Sequence, residues 1–349
     1  MLALSVLLVA PDATFAQGDP TAACMAAAGP ASAGVPVSQS AQRAIFDRLR
    51  TALPLCEEAV AAAPEAGGPL FHMATVAQAR GDHRAAFALY ERAAAAGVGA
   101  AQTRLGDYYN FGIGPIRSDV ARAVEHYRAA VAAGDPAGMA TLAFMHRLGR
   151  GVPRDTAEML RLFRTAADAG YHFAQLNLAQ VYLTGEGVPG GADDALGIPD
   201  PRAAVPLFAA AARSGNMDAA RALTRLYAEG AEGVPANPAS RLRWTRLMAE
   251  AGLPDAVAAL AYLQEQGIGT GADPVAAAQG YIAALETGEV AADDLRAAAG
   301  PRPPAWERDT AIAFQLILQE RGFYSGAIDG IVGRGTLGGA QALADGVTR

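Results

Sequence analysis

Side chains that could catalyse a reaction or bind a metal are few and scattered in this sequence. The five histidines form neither a His-x-x-x-His nor a Glu-x-x-His metal spacing, and they are His72, His83, His126, His146 and His172. No Gly-x-Ser-x-Gly nucleophile elbow occurs. The adjacent pairs Glu57-Glu58 and Asp293-Asp294 point in different directions on a helix, which is typical of a solvated face. We therefore expect no catalytic site, no metal and no cofactor, and predict that the protein is not an enzyme.

The two cysteines lie near the N-terminus, at Cys24 and Cys56. An even pair in an exported protein predicts one disulfide, which would tie the segment 17–43 to the first helix. The alternative is two unpaired buried thiols, and it requires that the chain is not exported. Nothing near Cys56 suggests an activated thiol.

The first 16 residues, MLALSVLLVAPDATFA, have the pattern of a secretory signal peptide. Leu2 to Ala10 is an apolar run too short to span a bilayer, and Thr14 and Ala16 are small residues before a cleavage site. The usual positive charge is missing, which is consistent with a start upstream of the assigned one. We expect a periplasmic or otherwise exported, cell-wall-associated protein with no transmembrane anchor.

All 28 basic residues are arginine, and the net charge is −7. Selection for phosphate binding and a bias of the coding sequence are the two explanations, and the alanine-rich composition favours the second. The acidic balance argues against nucleic acid as a partner, because non-specific binding needs a basic face.

The dominant pattern is a repeat of about 36 residues. Six 16-residue segments share one frame, and they are DHRAAFALYERAAAAG, DVARAVEHYRAAVAAG, DTAEMLRLFRTAADAG, DPRAAVPLFAAAARSG, NPASRLRWTRLMAEAG and DPVAAAQGYIAALETG. Asp or Asn opens each segment as a helix N-cap, proline follows in three, and a glycine closes each helix. Five place an aromatic residue eight positions after the cap, at Tyr90, Tyr127, Phe163, Phe208 and Tyr281.

A second helix precedes each of the last five segments. These helices contain Leu105, Leu142, Leu178, Leu223 and Leu260, with alanine or glycine four residues earlier, and they end in a paired-glycine loop. The pattern resembles the Sel-1-like repeat, a relative of the tetratricopeptide repeat. The first pair, Leu70 to Gly97, is closer to a plain tetratricopeptide unit, and Ala44 to Ala63 predicts a capping helix. Nine extra residues between Gly187 and Asp200 predict a surface loop.

The resemblance implies an all-α fold, an α-α superhelix of helix pairs over residues 44–300 whose concave groove holds a partner protein or peptide. PRPP at 301–304 predicts a linker to a separate segment, 305–349. There, Phe314-Gln315, Gly322-Phe323-Tyr324 and Asp329-Gly-x-x-Gly-x-x-Thr resemble the small three-helix peptidoglycan-binding domain. The match departs from that family at Leu343-Ala344, where the family usually carries Phe-Gln.

That second resemblance implies peptidoglycan as a ligand, and its candidate binding residues are Phe323, Tyr324, Asp329, Gly330, Gly333 and Thr336. Asp329 and Thr336 also fit purely structural roles, as turn former and helix N-cap, and Tyr324 fits either sugar stacking or core packing. We predict a non-enzymatic periplasmic scaffold whose repeats bind a protein and whose C-terminal domain binds peptidoglycan. The alternative is a regulator or docking protein of an envelope enzyme or signalling system that does not bind peptidoglycan.

Overall fold

The computed structural model describes residues 19–32, 34, 36–186, 197–300 and 303–347. These residues form α-helices, two one-turn 3-10 helices and one isolated bridge between Ala231 and Val234, and they contain no strand. The predicted all-α class of repeated helix pairs is therefore confirmed. The signal-peptide prediction, most of the inserted loop and the first half of the PRPP linker lie outside the described residues.

The chain divides into two compact units, one ending at Ala166 and the other beginning at Ala167. The first unit contains α1 (Pro20–Ala28), α2 (Gln39–Ala62), α3 (Gly67–Ala79), α4 (His83–Ala95), α5 (Gly99–Phe111), α6 (Val120–Ala132), α7 (Pro136–Leu148) and most of α8 (Thr156–Asp168). Helix α2 is the predicted capping helix, and it begins five residues earlier than expected, where the Ser38 side chain accepts a hydrogen bond from the backbone N–H of Ala41.

The second unit contains α9 (His172–Thr184), α10 (Pro201–Arg213), α11 (Met217–Glu229), α12 (Pro238–Glu250), α13 (Pro254–Glu265), α14 (Pro274–Glu286), α15 (Arg308–Glu320) and α16 (Arg334–Val347). The one-turn helices Ala292–Asp294 and Ala297–Ala299 lie between α14 and α15. Successive helices pack as antiparallel pairs, α9 with α10, α11 with α12 and α13 with α14.

The repeat helices begin and end as their sequence predicts. The side chains of Asp82, Asp119 and Asp273 accept hydrogen bonds of 3.0–3.1 Å from the backbone N–H three residues later. The six closing glycines have φ between 71° and 94°, a conformation that disfavours any residue with a Cβ, and they are Gly97, Gly134, Gly170, Gly215, Gly252 and Gly288. Local capping thus sets the length of each helix.

The repeat aromatics form the cores between the helices. Tyr90, Tyr127, Phe163, Phe208 and Tyr281 are fully buried. Each buried tyrosine also satisfies its hydroxyl group: Tyr90 donates to Gln78 Oε1 at 2.8 Å, Tyr127 to Asp107 Oδ1 at 2.9 Å and Tyr281 to Glu265 Oε2 at 2.6 Å. A buried hydroxyl without a partner would cost about 1–3 kcal/mol, so these acceptors are part of the core.

Small residues on the opposite helix allow this close packing. A Cβ built at Gly106 would lie 2.5 Å from the Tyr127 ring, and one at Gly138 would lie 2.5 Å from Cβ of Ala130. The equivalent alanines Ala101, Ala174 and Ala219 are fully buried. The alternation of a large ring with a small residue therefore fixes how closely two helices approach.

The C-terminal segment shares its core with the last helix pair. Phe314 and Leu318 of α15 and Leu343 of α16 belong to one apolar cluster with Tyr281 and Leu285 of α14. The Trp306 ring, just before α15, stacks on Phe314 with centroids 5.2 Å apart and lies 5.0 Å from Tyr281. Residues 305–347 thus pack directly against the last repeat and share its core.

Candidate functional site

The predicted peptidoglycan-binding residues surround the side chain of Gln315 on α15, which is completely buried. Its Nε2 donates to Asp329 Oδ1 at 3.0 Å and to the Ile331 carbonyl at 3.1 Å, and its Oε1 accepts the backbone N–H of Gly330 at 2.9 Å. The amide thus fixes, through these hydrogen bonds, the turn that contains Asp329 and Gly330.

The other predicted residues divide between core and surface. Thr336 is buried with Oγ1 3.4 Å from Gln315 Nε2, and Phe323 packs against the apolar cluster of α14–α16. Tyr324 is half-buried, and its hydroxyl donates to the Ala327 carbonyl at 2.9 Å. Gly333 is half-buried and has nothing within 4 Å of its Cβ position. The structure therefore brings the six residues together, but most of their polar atoms bond within the protein.

Asp329 is exposed and its charge is held by this network. Hydrogen bonds from the Gln315 amide and from the backbone N–H of Ile331 hold the pKa of its carboxyl below the ordinary range. Beside the turn, the Ile331 side chain is 69% exposed and Leu316 is 43% exposed. Ile331 and Leu316 were not predicted as binding residues because they belong to no motif.

A second candidate site lies in the first unit, where α2, α3 and residues 30, 32, 34 and 36 line an open cavity of about 700 Å³, hereafter the N-terminal cavity. Phe71, His72 and Thr75 of α3 line one side, and Arg43 and Phe46 of α2 line another. Further lining residues are Gln39, Ile45, Arg48, Leu49, Ser32, Pro36 and, from α5, Arg104.

Two contacts fix α1 and Gly29 beside the cavity. The disulfide between Cys24 and Cys56 joins α1 to α2, with the two Cα atoms 4.8 Å apart and both sulfur-bearing side chains buried. Nε2 of His72 lies 2.9 Å from the Gly29 carbonyl oxygen. The disulfide predicted from the sequence is present, and it holds one wall of the N-terminal cavity.

The electrostatics of this cavity favour anions. Arg43, Arg48 and Arg104 line it, whereas its single lining carboxylate, Asp47, is already in an exposed ion pair with Arg50. Burial lowers the pKa of His72, the hydrogen bond to Gly29 opposes that shift, and the nearby Arg48 adds to it, so the imidazole is neutral at pH 7. None of these residues was predicted as a site, and the only sequence signal was a histidine on the apolar face of α3.

The remaining histidines have structural partners. Nδ1 of His83 lies 3.1 Å from the Tyr108 hydroxyl, and His126 lies 2.8 Å from Gln102 Oε1 while stacking on Tyr109. Nδ1 of His146 lies 3.3 Å from the Pro153 carbonyl, and His172 lies 3.2 Å from the Asn216 amide. Within the described ranges no group of three or more His, Cys, Asp or Glu side chains could hold a metal ion. No described helix is long and apolar enough to cross a membrane.

Comparison with known proteins agrees with this architecture. The model of the Sel1 repeat matches residues 77–98, 99–135, 136–171, 172–216, 218–253 and 254–279. Chitin synthase regulatory factor 3 of Schizosaccharomyces pombe is 32% identical over 140 residues, which are 40% of this chain but only 14% of that protein. The crystal structure of a Sel1 repeat protein from Oxalobacter formigenes, 20% identical, covers 76% of this chain and 97% of its own with a TM-score of 0.51. The chain shares the fold of that protein.

Proposed function

Because the chain belongs to the Sel1 repeat family, whose members are generally protein-interaction scaffolds without catalytic activity, we propose that it is an exported scaffold with two attachments. The repeats hold a partner protein, and the C-terminal segment holds peptidoglycan. The observation that carries the proposal is the joining of a matched repeat array to a C-terminal turn built around Gln315. Protein binding follows from the family, whereas export and peptidoglycan binding are our additions.

Two features support export. The first 16 residues have the apolar run and small residues of a signal peptide, and the two cysteines are paired. Disulfides persist in oxidising compartments and are rare in the bacterial cytosol. Fusion of residues 1–40 to a reporter that is active only after export tests this point directly. A fusion that stays inactive, beside an active control carrying a known signal peptide, would contradict export.

Peptidoglycan binding is supported by the C-terminal turn. Its exposed surface places the half-buried Tyr324 ring and the exposed Ile331 side chain beside the Asp329 carboxylate. A ring and a carboxylate are the groups that stack on a sugar and accept hydrogen bonds from its hydroxyls. The same surface would also contact the amide groups of a stem peptide.

The test is cosedimentation of the purified protein with insoluble peptidoglycan. Deleting 305–349 is a poor variant, because it would uncover Tyr281 and Leu285 and disturb the last repeat. The double variant Tyr324→Ala, Ile331→Ser changes the surface itself, and Val275→Ser, at an exposed apolar residue on α14, is the matched control. We expect the double variant to lose most of its binding and the control to keep it, with thermal unfolding confirming that both are folded.

A second function is favoured by one specific observation. Phe323 packs into the core, Thr336 is buried, and Asp329 is bonded to Gln315, so most of the motif is used internally. The C-terminal segment could then serve as the closing element of a scaffold that regulates an envelope enzyme or signalling system without binding peptidoglycan. Wild-type protein that stays in the supernatant with peptidoglycan, yet retains a protein partner from envelope extract, would support this second function over the first.

A further inference from the structure

Two residues that line the N-terminal cavity carry buried polar atoms that no group of the described chain satisfies. Nδ1 of His72 and Nε of Arg104 are both buried and without a hydrogen-bond partner there, and both residues line the cavity. Buried polar atoms are satisfied in the great majority of cases, so each such atom calls for a partner that the isolated chain lacks. Two of them in one cavity point to a ligand.

The hydrogen-bonding character of His72 follows from its contact with Gly29. A carbonyl oxygen can only accept, so the Nε2 atom 2.9 Å away carries the proton and donates it. In the neutral ring the other nitrogen, Nδ1, is then an acceptor. The side chain is only 3% exposed, so solvent reaches it poorly, and the missing partner of Nδ1 is an N–H or O–H group.

The arginines are hydrogen-bond donors and therefore require an acceptor. Nε of Arg104 is a donor, and its Nη1 is 3.4 Å from Asp107, a long contact that leaves most of the guanidinium available. Arg43 and Arg48 on α2 are exposed and have no ion pair within the described part of the chain. The Arg48 guanidinium lies beside Gly29, since a Cβ built on that glycine would be 3.3 Å from Cζ of Arg48. The missing partner of these donors is a carboxylate or similar anion.

The lining also includes a set of apolar side chains. Phe71 and Leu49 are buried, Phe46 is half-buried, and Ile45 is 38% exposed. A volume of about 700 Å³ is within the range of 300–1,000 Å³ that holds small ligands or a few peptide residues. The ligand therefore combines a donor, an anion and an apolar side chain.

We propose that the N-terminal cavity binds the free carboxyl-terminal residue of a partner polypeptide whose last side chain is apolar. Such a residue carries the three required groups on adjacent atoms: an amide N–H for Nδ1 of His72, a carboxylate for the arginines and a side chain for the apolar wall. A phosphate would leave the apolar wall unpartnered, and a hydrocarbon would leave both Nδ1 of His72 and Nε of Arg104 unpartnered. The proposal rests on the proposed scaffold function, because it names the part of the partner that is held.

The experiment is a fluorescence polarisation titration of the full mature chain with fluorescein-labelled Gly-Ser-Ala-Ala-Leu, Gly-Ser-Ala-Ala-Phe and their C-terminal amides. We expect at least one free acid to bind, and its amide to bind at least about tenfold more weakly, because charge-assisted hydrogen bonds are lost. The variant Arg43→Gln, Arg48→Gln should weaken the free acid by a similar factor. The matched control is Arg84→Gln, an exposed arginine of α4 outside the cavity lining, and it should leave binding unchanged.

Several results would overturn this assignment. They are equal binding of acid and amide, no binding by any free acid up to millimolar concentration, or an equal loss in the Arg84→Gln variant. If N-acetylleucine binds as tightly as the peptide, the ligand of the cavity is a small carboxylate and not the end of a polypeptide. A partner from envelope extract that is retained by both wild type and the Arg43→Gln, Arg48→Gln variant would refute the cavity proposal while leaving the scaffold function intact.

Discussion

Arg296 lies with its Nε 3.0 Å from Oε2 of Glu265 in the interior of the second unit, where the two side chains are 5% and 0% exposed. The other two guanidinium nitrogens donate to the carbonyls of Pro304 and Ala305. Glu265 also accepts from the Tyr281 hydroxyl and from the backbone N–H of Glu307. One buried ion pair therefore connects the last repeat to the entry of the C-terminal segment.

Replacement of one partner of this pair should destabilise the second unit strongly. The substitution Glu265→Gln leaves the Arg296 charge buried and uncompensated, which costs about 3–5 kcal/mol. Chemical denaturation measures this loss. The control is Arg221→Gln, which breaks an exposed ion pair with Asp255 and should cost less than about 1 kcal/mol. A Glu265→Gln protein as stable as that control would contradict the role assigned to the pair.

Removal of the buried Gln315 amide should likewise destabilise the C-terminal turn. Gln315→Met keeps the volume but leaves the Gly330 N–H and the Asp329 carboxylate without their partner, so we expect a loss of about 2–3 kcal/mol. Gln319→Met, on the exposed face of the same helix, is the control. Hydrogen exchange at residues 329–333 should accelerate in the first variant alone, and unchanged exchange there would argue against the amide as the organising group.

The disulfide should stabilise the first unit by about 3–4 kcal/mol, because it closes a loop between residues separated by 32 positions. The Cys24→Ser, Cys56→Ser variant should unfold at lower denaturant than the oxidised wild type. Adding a reductant should bring the wild type to the level of the variant and leave the variant unchanged. A wild type insensitive to reductant would mean that the bond does not constrain the folded chain.

Replacing glycine by alanine should have opposite effects on stability at two helix positions. Gly138→Ala places a methyl group 2.5 Å from Cβ of Ala130 and 2.7 Å from Oγ1 of Thr103, which forces α7 away and costs about 1–3 kcal/mol. Gly338→Ala, in α16 with nothing within 4 Å, should instead stabilise by about 0.5–1 kcal/mol. Thermal unfolding should show a lower midpoint for Gly138→Ala and a higher midpoint for Gly338→Ala. A stabilised Gly138→Ala protein would contradict the close packing described.

The first unit should lose stability as the pH falls below about 6.5. The pKa of His72 is lowered in the folded state from its ordinary value of 6.5, chiefly by burial, so the unfolded chain binds a proton more readily. Stability is therefore full above that value and declines until the pH reaches the folded pKa. Denaturation at pH 7.5 and 5.5 should show the decline, and His72→Gln should reduce it. An equal decline in both proteins would assign the effect to other groups.

Local sequence patterns were sufficient to predict the repeat helices. The caps at Asp82 and Asp119, the buried rings and the closing glycines all act within one or two turns of the residues that define them. The core positions of Tyr90 and Tyr281 follow from the same periodicity. These features depend only on residues close in sequence, so they can be predicted without knowing the long-range contacts.

Features that depend on distant contacts were not predicted. The lining of the N-terminal cavity combines residues 30, 32, 34 and 36, which follow no periodic pattern, with residues of α3 and with Arg104 from another helix pair. The Glu265–Arg296 pair joins a repeat position to a stretch without a motif. Gly339 lies within α16, where glycine weakens a helix, yet a Cβ there would lie 2.3 Å from the Phe323 carbonyl oxygen, so its reason is a close approach that only the fold reveals.

The apolar residues of α15 and α16 that cover α14 also limit the self-association of the repeat array. A helix-pair array has two unfinished ends, and an uncovered last pair offers the same kind of surface that the preceding pair offers to its neighbour. Two chains with matching open ends would join head to tail, and successive additions would build a filament. Phe314, Leu318 and Leu343 occupy that surface on α14, so it is not available for the addition of another chain.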